Sequence, residues 1–276
     1  MLGGDLKSVS GGSYEYIDNF AARYLDDLTK RPKFARKMKV VAACGNGTAG
    51  AFAPQMLERL GCEVIPLDIE PDYTFPRYNP NPEDMEMLHA IAAKVRETGA
   101  DVGLGFDGDG DRCGVVDNHG EEIFADKIGV MLARDLSAQH KNPQFVVDVK
   151  STGIYLTDPV LKERGVKTDY WKTGHSYIKR RTSELKALAG FEKSGHFFFN
   201  PPIGHGYDGG IVAGIQVLEM LDKAGGKKLS ALYDALPQSW GSPTMAPFCP
   251  DDKKYAVVEA MVKEYSDMAA KGQTLL

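Results

Sequence analysis

The segment Asp107-Gly-Asp-Gly-Asp-Arg112 places three carboxylates at alternate positions, separated by glycines. Glycine permits the φ angles of a tight concave turn, so the side chains of Asp107, Asp109 and Asp111 can point to one place. Three converging carboxylates repel one another unless a hard divalent cation lies between them. The segment therefore predicts a metal site, and a solvated acidic turn is the alternative.

The residues that follow the triplet distinguish between two metals. The calcium loop of an EF-hand needs glycine at its sixth position and glutamate at its twelfth, where this sequence has Arg112 and Asn118. Mg2+ fits better, because it usually keeps coordination positions for water or a substrate phosphate. Arg112 suits a phosphate that arrives at the metal, since guanidinium pairs with phosphate in a bidentate way.

Three other polar segments could bind an anion or sugar hydroxyls. Each lies near the end of a predicted strand, and open α/β sheets bind ligands beyond the carboxyl ends of their strands. Glu192, Ser194 and His196 stand at alternate positions and face one side if the run is extended. A helix cap at Ser176 and a buried structural histidine at position 196 are the alternatives. The candidate residues are Lys150, His175, Ser176, Lys179, Glu192, Ser194 and His196.

A glycine-rich turn favours a different chemistry. Gly45-Asn-Gly47-Thr-Ala-Gly50 follows a predicted strand and precedes a predicted helix, and Asp68 stands about twenty residues further on. This pattern is typical of dinucleotide binding, so a nicotinamide-dependent oxidoreductase is an alternative. The same turn also arises where a strand folds straight back into a helix without a ligand. The oxidoreductase hypothesis leaves the aspartate triplet and the polar turns unexplained.

The elements that position these segments alternate between strands and helices, which is typical of βαβ units with largely parallel sheets. We predict an α/β fold of two consecutive domains, with mixed or parallel sheets and helices on both faces. Residues 36–120 carry the metal loop and residues 121–238 carry the sugar-binding loops. An N-terminal connecting helix lies within 1–35, and 239–276 begin a partial third unit. Strands are expected at 38–44, 63–67, 101–106, 115–116, 144–149, 167–171, 197–199 and 244–248, and helices at 14–30, 51–60, 83–97, 126–136, 154–164, 176–185, 210–221 and 252–269.

The composition excludes several classes of protein. Hydrophobic residues make up 43% and charged residues 26% of the chain, as in globular proteins. A net charge of −5 and a pI near 5.7 argue against broad nucleic-acid binding. No run approaches the ~20 apolar residues that cross a bilayer, and no signal sequence begins the chain. The four cysteines form no Cys-x-x-Cys pair, so we expect free thiols and a cytoplasmic location.

The polar motifs together resemble those of the α-D-phosphohexomutases, and within that family the bacterial phosphomannomutase/phosphoglucomutase group. The segments that carry the resemblance are Phe106–Arg112, Asp148-Val-Lys150, Gly174–Lys179 and Glu192–His196. The resemblance extends over about residues 14–269. It implies an isomerase, an intramolecular phosphotransferase that interconverts hexose 1-phosphate and hexose 6-phosphate of mannose or glucose through a bisphosphate. It also implies four domains around a cleft and Mg2+ as the cofactor.

The resemblance implies a role for each candidate residue. Asp107, Asp109 and Asp111 bind Mg2+, and Arg112 faces the reacting phosphoryl group. Glu192, Ser194 and His196 hold sugar hydroxyls. His175, Ser176 and Lys179 line the same cleft as substrate-binding residues, and Lys150 lines it as a catalytic residue together with Arg112.

Two family segments are absent from the printed sequence. One is the Thr/Ser-x-Ser-His-x-Pro loop, which carries the phosphoserine in the first domain, and the other is the arginine-rich phosphate loop of the fourth domain. A smaller departure is Asp208-Gly-Gly, where the family often has a second aspartate. We therefore expect a fragment that is inactive alone and depends on a missing N-terminal domain. A non-catalytic sugar-phosphate or metal-binding protein is the alternative, and the preferred hexose and oligomeric state stay open.

Overall fold

The structure is a computed structural model that describes residues 10–30, 33–241, 245 and 247–273. The chain divides into two units, Met1–Ser239 and Trp240–Leu276, and each is described by itself. The first unit contains two β-sheets with their helices. Within the described ranges, no helix combines the length and hydropathy that a membrane crossing requires.

The first sheet has three parallel strands followed by an antiparallel extension. Its strands are β1 (Lys39–Ala43), β2 (Glu63–Leu67), β3 (Val102–Phe106), β4 (Cys113–Val116) and β5 (Glu122–Ile123). Strand β1 lies between β2 and β3 and is parallel to both, and the full order is β2-β1-β3-β4-β5. The crossovers contain a 3₁₀ turn (Thr48–Ala51) with α2 (Ala53–Arg59), and α3 (Met85–Thr98).

The second sheet repeats this arrangement with four strands. These are β6 (Gln144–Asp148), β7 (Lys167–Trp171), β8 (Ala189–Phe191) and β9 (Phe197–Phe199), in the order β7-β6-β8-β9. Strand β6 is parallel to β7 and β8, and β9 is antiparallel to β8. The helices of this half are α4 (Ala125–Gln139), α5 (Ile154–Thr157), α6 (Pro159–Glu163), α7 (His175–Glu184), α8 (Gly210–Lys223) and α9 (Leu229–Asp234).

The strands of the two sheets are connected in the same order, so corresponding loops occupy equivalent positions in the two sheets. In each sheet the third and fourth strands form an antiparallel hairpin. The aspartate segment is the turn between β3 and β4, and Glu192–His196 is the turn between β8 and β9. The glycine turn after β1 corresponds in the same way to the Lys150 turn after β6. The expected α/β fold with mixed sheets is confirmed.

Alternation along the central strands explains why helices cover both faces. In β1, Val40 and Ala42 belong to one buried cluster, whereas Val41 and Ala43 belong to another that includes residues of α3. Neighbouring side chains on a strand point to opposite faces, so a strand buried throughout needs a cover on each side. In β6, Phe145 and Val147 likewise face the large core, and Val146 faces a separate small cluster.

Helix α8 connects the two sheets. Eleven of its fourteen residues are buried, which is possible because it packs against elements of both halves. Gly214 faces Leu104 and Phe106 of the first sheet at distances that leave little room for a side chain. The large buried cluster contains residues from both sheets and from α8. The two sheets therefore lie around one continuous core, and their loops can meet.

Most predicted elements are confirmed, three of them with the expected bounds: β2, β7 and β9. Two of the predicted helices need correction. Helix α1 spans only Phe20–Leu28, because Asn19 before it adopts a φ of 58°, and Ile17 and Phe20 are exposed. The helix expected at 154–164 divides into α5 and α6 at Asp158, whose side chain caps α6 by accepting from the Leu161 N–H. Short strands β5 and β8 and helix α9 were not predicted.

The second unit contains α10 (Lys254–Ala270), close to the expected helix. No residue of α10 is buried. The strand expected at 244–248 falls partly outside the described residues, since Thr244 and Ala246 are not described. Residues 245, 247 and 248 are not in a strand.

Candidate functional site

The aspartate turn brings its three carboxylates together as the sequence predicts. Oxygen atoms of Asp107, Asp109 and Asp111 lie within 4.8 Å of one another. Gly110 allows the tight bend with a φ of 80°, and its N–H donates to the Asp107 carbonyl oxygen at 3.1 Å. The bend follows β3 directly, so the three side chains lie at the carboxyl end of a central strand.

The donor set of this turn fits a hard divalent cation. All three side chains offer carboxylate oxygens, which are the ligands that Mg2+ prefers. Burial raises the pKa of Asp111 to about 6; His196 opposes this increase, and the carboxylates of Asp107, Asp109 and Asp208 add to it. The negative charges thus destabilise one another in the absence of a cation, which is the condition under which a metal ion binds favourably.

Arg112 lies beside the three aspartates, but its guanidinium is already engaged. Its Nε donates to Asp107 Oδ2 at 2.6 Å, and its main-chain N–H donates to Asp107 Oδ1 at 3.0 Å. Its Nη1 donates to Asn81 Oδ1 at 3.0 Å. Asn81 belongs to the proline-rich loop before α3, and no sequence motif pointed to it as a site residue. In this conformation Arg112 neutralises Asp107 instead of pointing to an open phosphate position.

The segment Glu192–His196 is a tight turn, so the condition for its three polar side chains to share one face, an extended run, is not met. Two main-chain hydrogen bonds close the turn. The Gly195 N–H donates to the Glu192 carbonyl oxygen at 3.1 Å, and the Glu192 N–H donates to the His196 carbonyl oxygen at 3.0 Å. Gly195 reverses the chain with a φ of 98°. Because of this reversal, Glu192, Ser194 and His196 do not share one face of a strand.

Glu192 supports a neighbouring loop from a buried position. Its side chain is only 1% exposed, and Oε1 accepts the Gly174 N–H at 2.7 Å. Burial raises the pKa of Glu192, and the Gly174 N–H and His196 oppose the increase. Ser194 is half-buried, with Oγ 3.5 Å from Glu192 Oε2. Glu192 therefore orders the start of α7 in this conformation.

Helix α7 begins at His175, with Gly174 as its N-cap and no side-chain cap. The alternative that Ser176 caps the helix is therefore wrong, and Ser176 is exposed. Lys179 Nζ donates to Asp208 Oδ1 at 3.0 Å, and His175 Nδ1 lies 3.7 Å from Asp208 Oδ2. Lys150 is exposed in the turn after β6.

Asp208 is surrounded by the side chains of Lys179, His175 and His196, and the sequence analysis did not identify it as a site residue. Its Oδ2 lies 3.1 Å from His196 Nδ1, which is itself 3.5 Å from Asp111 Oδ1. Burial disfavours the charged forms of both His196 and Asp208. The carboxylates around His196 outweigh burial and raise its pKa, and His196 with Lys179 holds the pKa of Asp208 well below its usual range. The only signal was the Asp208-Gly-Gly segment before α8.

Main-chain contacts join the aspartate turn to the turn of the second sheet. Arg112 and His196 form an antiparallel bridge, and the Cys113 N–H donates to the Gly195 carbonyl at 3.1 Å. The Gly210 N–H, at the start of α8, donates to the Gly110 carbonyl at 3.0 Å. The predicted metal residues and His175, Lys179 and His196 thus belong to one site.

Asp148 holds three loops of the second sheet together. It is fully buried at the end of β6. Oδ1 accepts from the Ser151 hydroxyl and from the Lys193 N–H at 3.2 Å, and Oδ2 accepts from the Thr173 hydroxyl at 3.1 Å. One carboxylate therefore connects the turn that contains Lys150, the turn before α7 and the turn that contains Glu192.

The glycine turn after β1 supports the aspartate turn. The Thr48 N–H donates to the Gly108 carbonyl at 3.0 Å, and the Gly47 N–H donates to the Cys44 carbonyl at 2.7 Å. A Cβ at Gly47 would lie 2.8 Å from the same Gly108 oxygen. Asp68 accepts from Arg77 and Tyr78, so its carboxylate is engaged within the protein. These contacts explain the glycines structurally and do not support dinucleotide binding.

Two sequence profiles of one family match the chain in succession. The profile of Phosphoglucomutase/phosphomannomutase, alpha/beta/alpha domain II, matches residues 15–120, and that of domain III matches residues 124–240. The two sheets and the aspartate turn thus define the central α/β/α domains of a phosphoglucomutase/phosphomannomutase-type protein. The chain belongs to the α-D-phosphohexomutase family, which confirms the resemblance of its motifs.

Individual relatives agree with this assignment. The chain is 40% identical over 242 residues to the phosphomannomutase/phosphoglucomutase of Pseudomonas putida, an alignment that covers 88% of this chain and 51% of the relative. A crystal structure of a phosphoglucomutase/phosphomannomutase family protein from Burkholderia thailandensis is 35% identical with a TM-score of 0.75, covering 81% of this chain and 48% of that chain. The chain spans about half the length of the curated relatives it matches.

A more distant structure shares the fold alone. It is Aspergillus fumigatus N-acetylphosphoglucosamine mutase in complex with GlcNAc-6P and magnesium, at 14% identity and a TM-score of 0.58. The similarity covers 82% of this chain and 52% of that chain.

Proposed function

We propose that this chain supplies the metal-binding and sugar-contacting part of a phosphohexomutase of the phosphomannomutase/phosphoglucomutase type. The reaction interconverts hexose 1-phosphate and hexose 6-phosphate, of mannose or glucose, through a bisphosphate. The observation that carries the proposal is the meeting of two turns: three carboxylates within 4.8 Å of one another, and His196 3.5 Å from one of them. A cation and a sugar phosphate can be held side by side there.

Asp107, Asp109 and Asp111 would hold Mg2+, in agreement with their oxygen donors and close approach. When bound, Mg2+ supplies neutralisation of phosphate charge, which is a large part of catalysis in phosphoryl transfer. Arg112 would exchange its contact with Asp107 for the phosphoryl group, since guanidinium binds either anion. Lys150 would add a second positive charge from the exposed turn after β6.

The sugar would lie against the residues of the second sheet. His175, Lys179 and His196 present donors around Asp208, and Ser194 offers a hydroxyl. Ser176 is an exposed donor in the first turn of α7. Glu192 would reach the sugar only after releasing the Gly174 N–H, so its role in this conformation is to order the loop.

The phosphoryl donor is proposed to come from a domain outside the printed residues, because no Thr/Ser-x-Ser-His-x-Pro segment occurs in them. We also propose a cytoplasmic location, which the four free cysteines support. The division into domains at 36–120 and 121–238 is retained as part of the proposal. It leaves β1 to β4 in the first domain and the whole second sheet in the second, whereas the short edge strand β5 of the first sheet (Glu122–Ile123) lies just beyond the boundary.

Calorimetry on the 276-residue chain tests the metal assignment. We expect Mg2+ to bind at one site and Asp109→Asn to weaken binding at least tenfold, because a charged oxygen ligand is lost. Glu97→Gln, an exposed carboxylate on α3, is the matched control and should leave Mg2+ affinity unchanged. Equal affinities of wild type and Asp109→Asn would contradict the metal site.

A second titration tests the substrate. With Mg2+ present, glucose 1-phosphate or mannose 1-phosphate should bind and NAD should not. Lys179→Met should weaken hexose phosphate binding while leaving Mg2+ affinity within about twofold, since Lys179 contacts Asp208 and not the three aspartates. Binding of NAD in place of the sugar phosphates would favour the oxidoreductase. Addition of a phosphoserine-carrying family domain distinguishes a mutase from a binding protein, since only a mutase would then convert hexose 1-phosphate to hexose 6-phosphate.

A further inference from the structure

A second group of metal-ligand side chains lies beside the three aspartates and is not explained by them. Asp111, His196 and Asp208 each offer one ligand atom, and these atoms lie within 4.8 Å of one another. His196 Nδ1 is 3.1 Å from Asp208 Oδ2 and 3.5 Å from Asp111 Oδ1. Only Asp111 belongs to both groups, so the second group has its own centre.

Two atoms of this group are buried without a hydrogen bond. Among the described residues, His196 Nδ1 and Asp208 Oδ2 make no hydrogen bond of acceptable angle, and they face each other at 3.1 Å only as an ion pair. The Asp208 side chain is 8% exposed and that of His196 is 15% exposed. Buried polar atoms are nearly always satisfied, and a bound ion is one of the few explanations when they are not.

The distances suit a tetrahedral ion. Ligand atoms at about 2.0–2.1 Å from a tetrahedral Zn2+ lie roughly 3.3 Å from one another. The distances from His196 Nδ1 to Asp208 Oδ2 and to Asp111 Oδ1, 3.1 and 3.5 Å, lie on either side of that value. The donor set is one imidazole nitrogen and two carboxylates, which favours Zn2+ and similar transition metals over Mg2+. An imidazole nitrogen binds a metal only without its proton, so Zn2+ binding would release to solvent any proton that His196 Nδ1 carries.

The surrounding residues hold these ligands in place. Lys179 Nζ donates to Asp208 Oδ1 at 3.0 Å, which leaves Oδ2 directed toward His196. The bridge between Arg112 and His196 fixes the main chain that carries the imidazole. Such outer contacts orient ligands in metal sites.

We propose that Asp111, His196 and Asp208 form a site for a transition-metal ion such as Zn2+. The site lies next to the proposed Mg2+ site and shares Asp111 with it. Three protein ligands leave a coordination position for water or a substrate oxygen, which is the pattern of zinc sites that contact substrates. This inference does not depend on the mutase reaction.

The first test measures Zn2+ affinity of the metal-free 276-residue chain by competition with a fluorescent chelator. Cys249→Ser is the background, because Cys249 is an exposed thiol that can itself bind zinc. We expect His196→Gln and Asp208→Asn each to weaken Zn2+ binding at least tenfold. Asp109→Asn is the matched control: it should weaken Mg2+ binding and leave Zn2+ affinity within about twofold, because Asp109 belongs only to the first group.

Two outcomes of this test would overturn the inference. In one, His196→Gln leaves Zn2+ affinity unchanged, which would make the cluster an ion-pair network only. In the other, Asp109→Asn weakens Zn2+ as much as His196→Gln does, which would place zinc among the three aspartates. The Mg2+ titrations of the same variants report on the proposed function separately.

A second measurement does not depend on whether the variants fold. Zinc X-ray absorption on the Cys249→Ser chain, with one equivalent of Zn2+ and saturating Mg2+, should show scattering from one imidazole. The three aspartates offer only oxygen, so a coordination shell of oxygen alone would overturn the proposed site.

Discussion

The Cys113 N–H donates a hydrogen bond of 3.1 Å to the Gly195 carbonyl oxygen and so joins the hairpin turns of the two sheets. Each turn connects the third and fourth strands of its own sheet. The distance between Asp111 and His196 is therefore fixed by main-chain pairing, and not by their side chains alone. Changes that separate these turns should disturb the whole site.

Gly210→Ala tests how tightly α8 holds the aspartate turn. A Cβ at Gly210 would lie 2.3 Å from the Arg112 carbonyl oxygen, and main-chain atoms on both sides prevent an easy shift. We expect a loss of about 1–3 kcal/mol in the free energy of unfolding, measured by urea denaturation, as for other overpacked sites. Gly209→Ala is the control, because its Cβ would meet only ordinary contacts at 3.6 Å or more. Equal stabilities of the two variants would contradict the close contact.

Asp148→Asn tests the carboxylate that connects three loops. The variant keeps one oxygen acceptor but removes the charge and turns an NH2 group toward existing donors. We expect hydrogen exchange to become about tenfold faster in peptides 172–175 and 192–196, since hydrogen bonds to charged groups contribute about 1.5–3 kcal/mol. Exchange in β1 and β3 should not change.

The control for this variant is Asp169→Asn. Asp169 lies on the neighbouring strand β7, and the substitution removes its partly exposed ion pair with Arg181. It should leave both peptides as protected as in the wild type. Unchanged exchange in Asp148→Asn would show that the three loops are held by other contacts.

Arg112→Gln should strengthen Mg2+ binding. The guanidinium occupies Asp107 Oδ2 at 2.6 Å and repels an incoming cation, so its removal frees a ligand oxygen. The expected gain is about 1 kcal/mol, or roughly fivefold in affinity by calorimetry, after allowance for solvent screening. Arg77→Gln, which removes a cation paired with Asp68, should have little effect. Weaker Mg2+ binding in Arg112→Gln would mean that Arg112 orders the aspartates more than it competes with the metal.

Asp101 gives the stability of the first unit a dependence on pH. Burial opposes its ionisation, but Lys228, the Lys39 N–H and Arg36 outweigh burial and lower its pKa. Its folded pKa is thus below its unfolded pKa, so the stabilisation is present above about pH 4 and is lost as pH falls through the folded pKa. Asp101→Asn should lower the urea midpoint at pH 7, and the difference from wild type should shrink below pH 4.

Glu97→Gln serves as the comparison for Asp101→Asn, because Glu97 forms only an exposed pair with Lys94. Its effect at pH 7 should be within about 0.5 kcal/mol. A difference between Asp101→Asn and wild type that stays constant down to pH 3 would show that the lost stability comes from packing and not from charge.

Local features of the molecule could be predicted because nearby residues determine them. The convergence of Asp107, Asp109 and Asp111 is contained in six residues with glycines between them, and the strands followed from runs of apolar residues. The turn at Glu192–His196 was missed because its reversal depends on pairing between β8 and β9, and β8 has only three residues.

By itself, the sequence determined which residue types occur at the ends of which strands, and hence the aspartate turn and the family motifs. Only the tertiary structure decided that Asp208 and His196 meet Asp111, that Asn81 holds Arg112, and that Asp148 connects three loops. These residues are far apart in the chain and meet because α8 packs against both sheets around one core. Spacing along the chain specifies local turns, whereas contacts between distant loops depend on how whole elements pack.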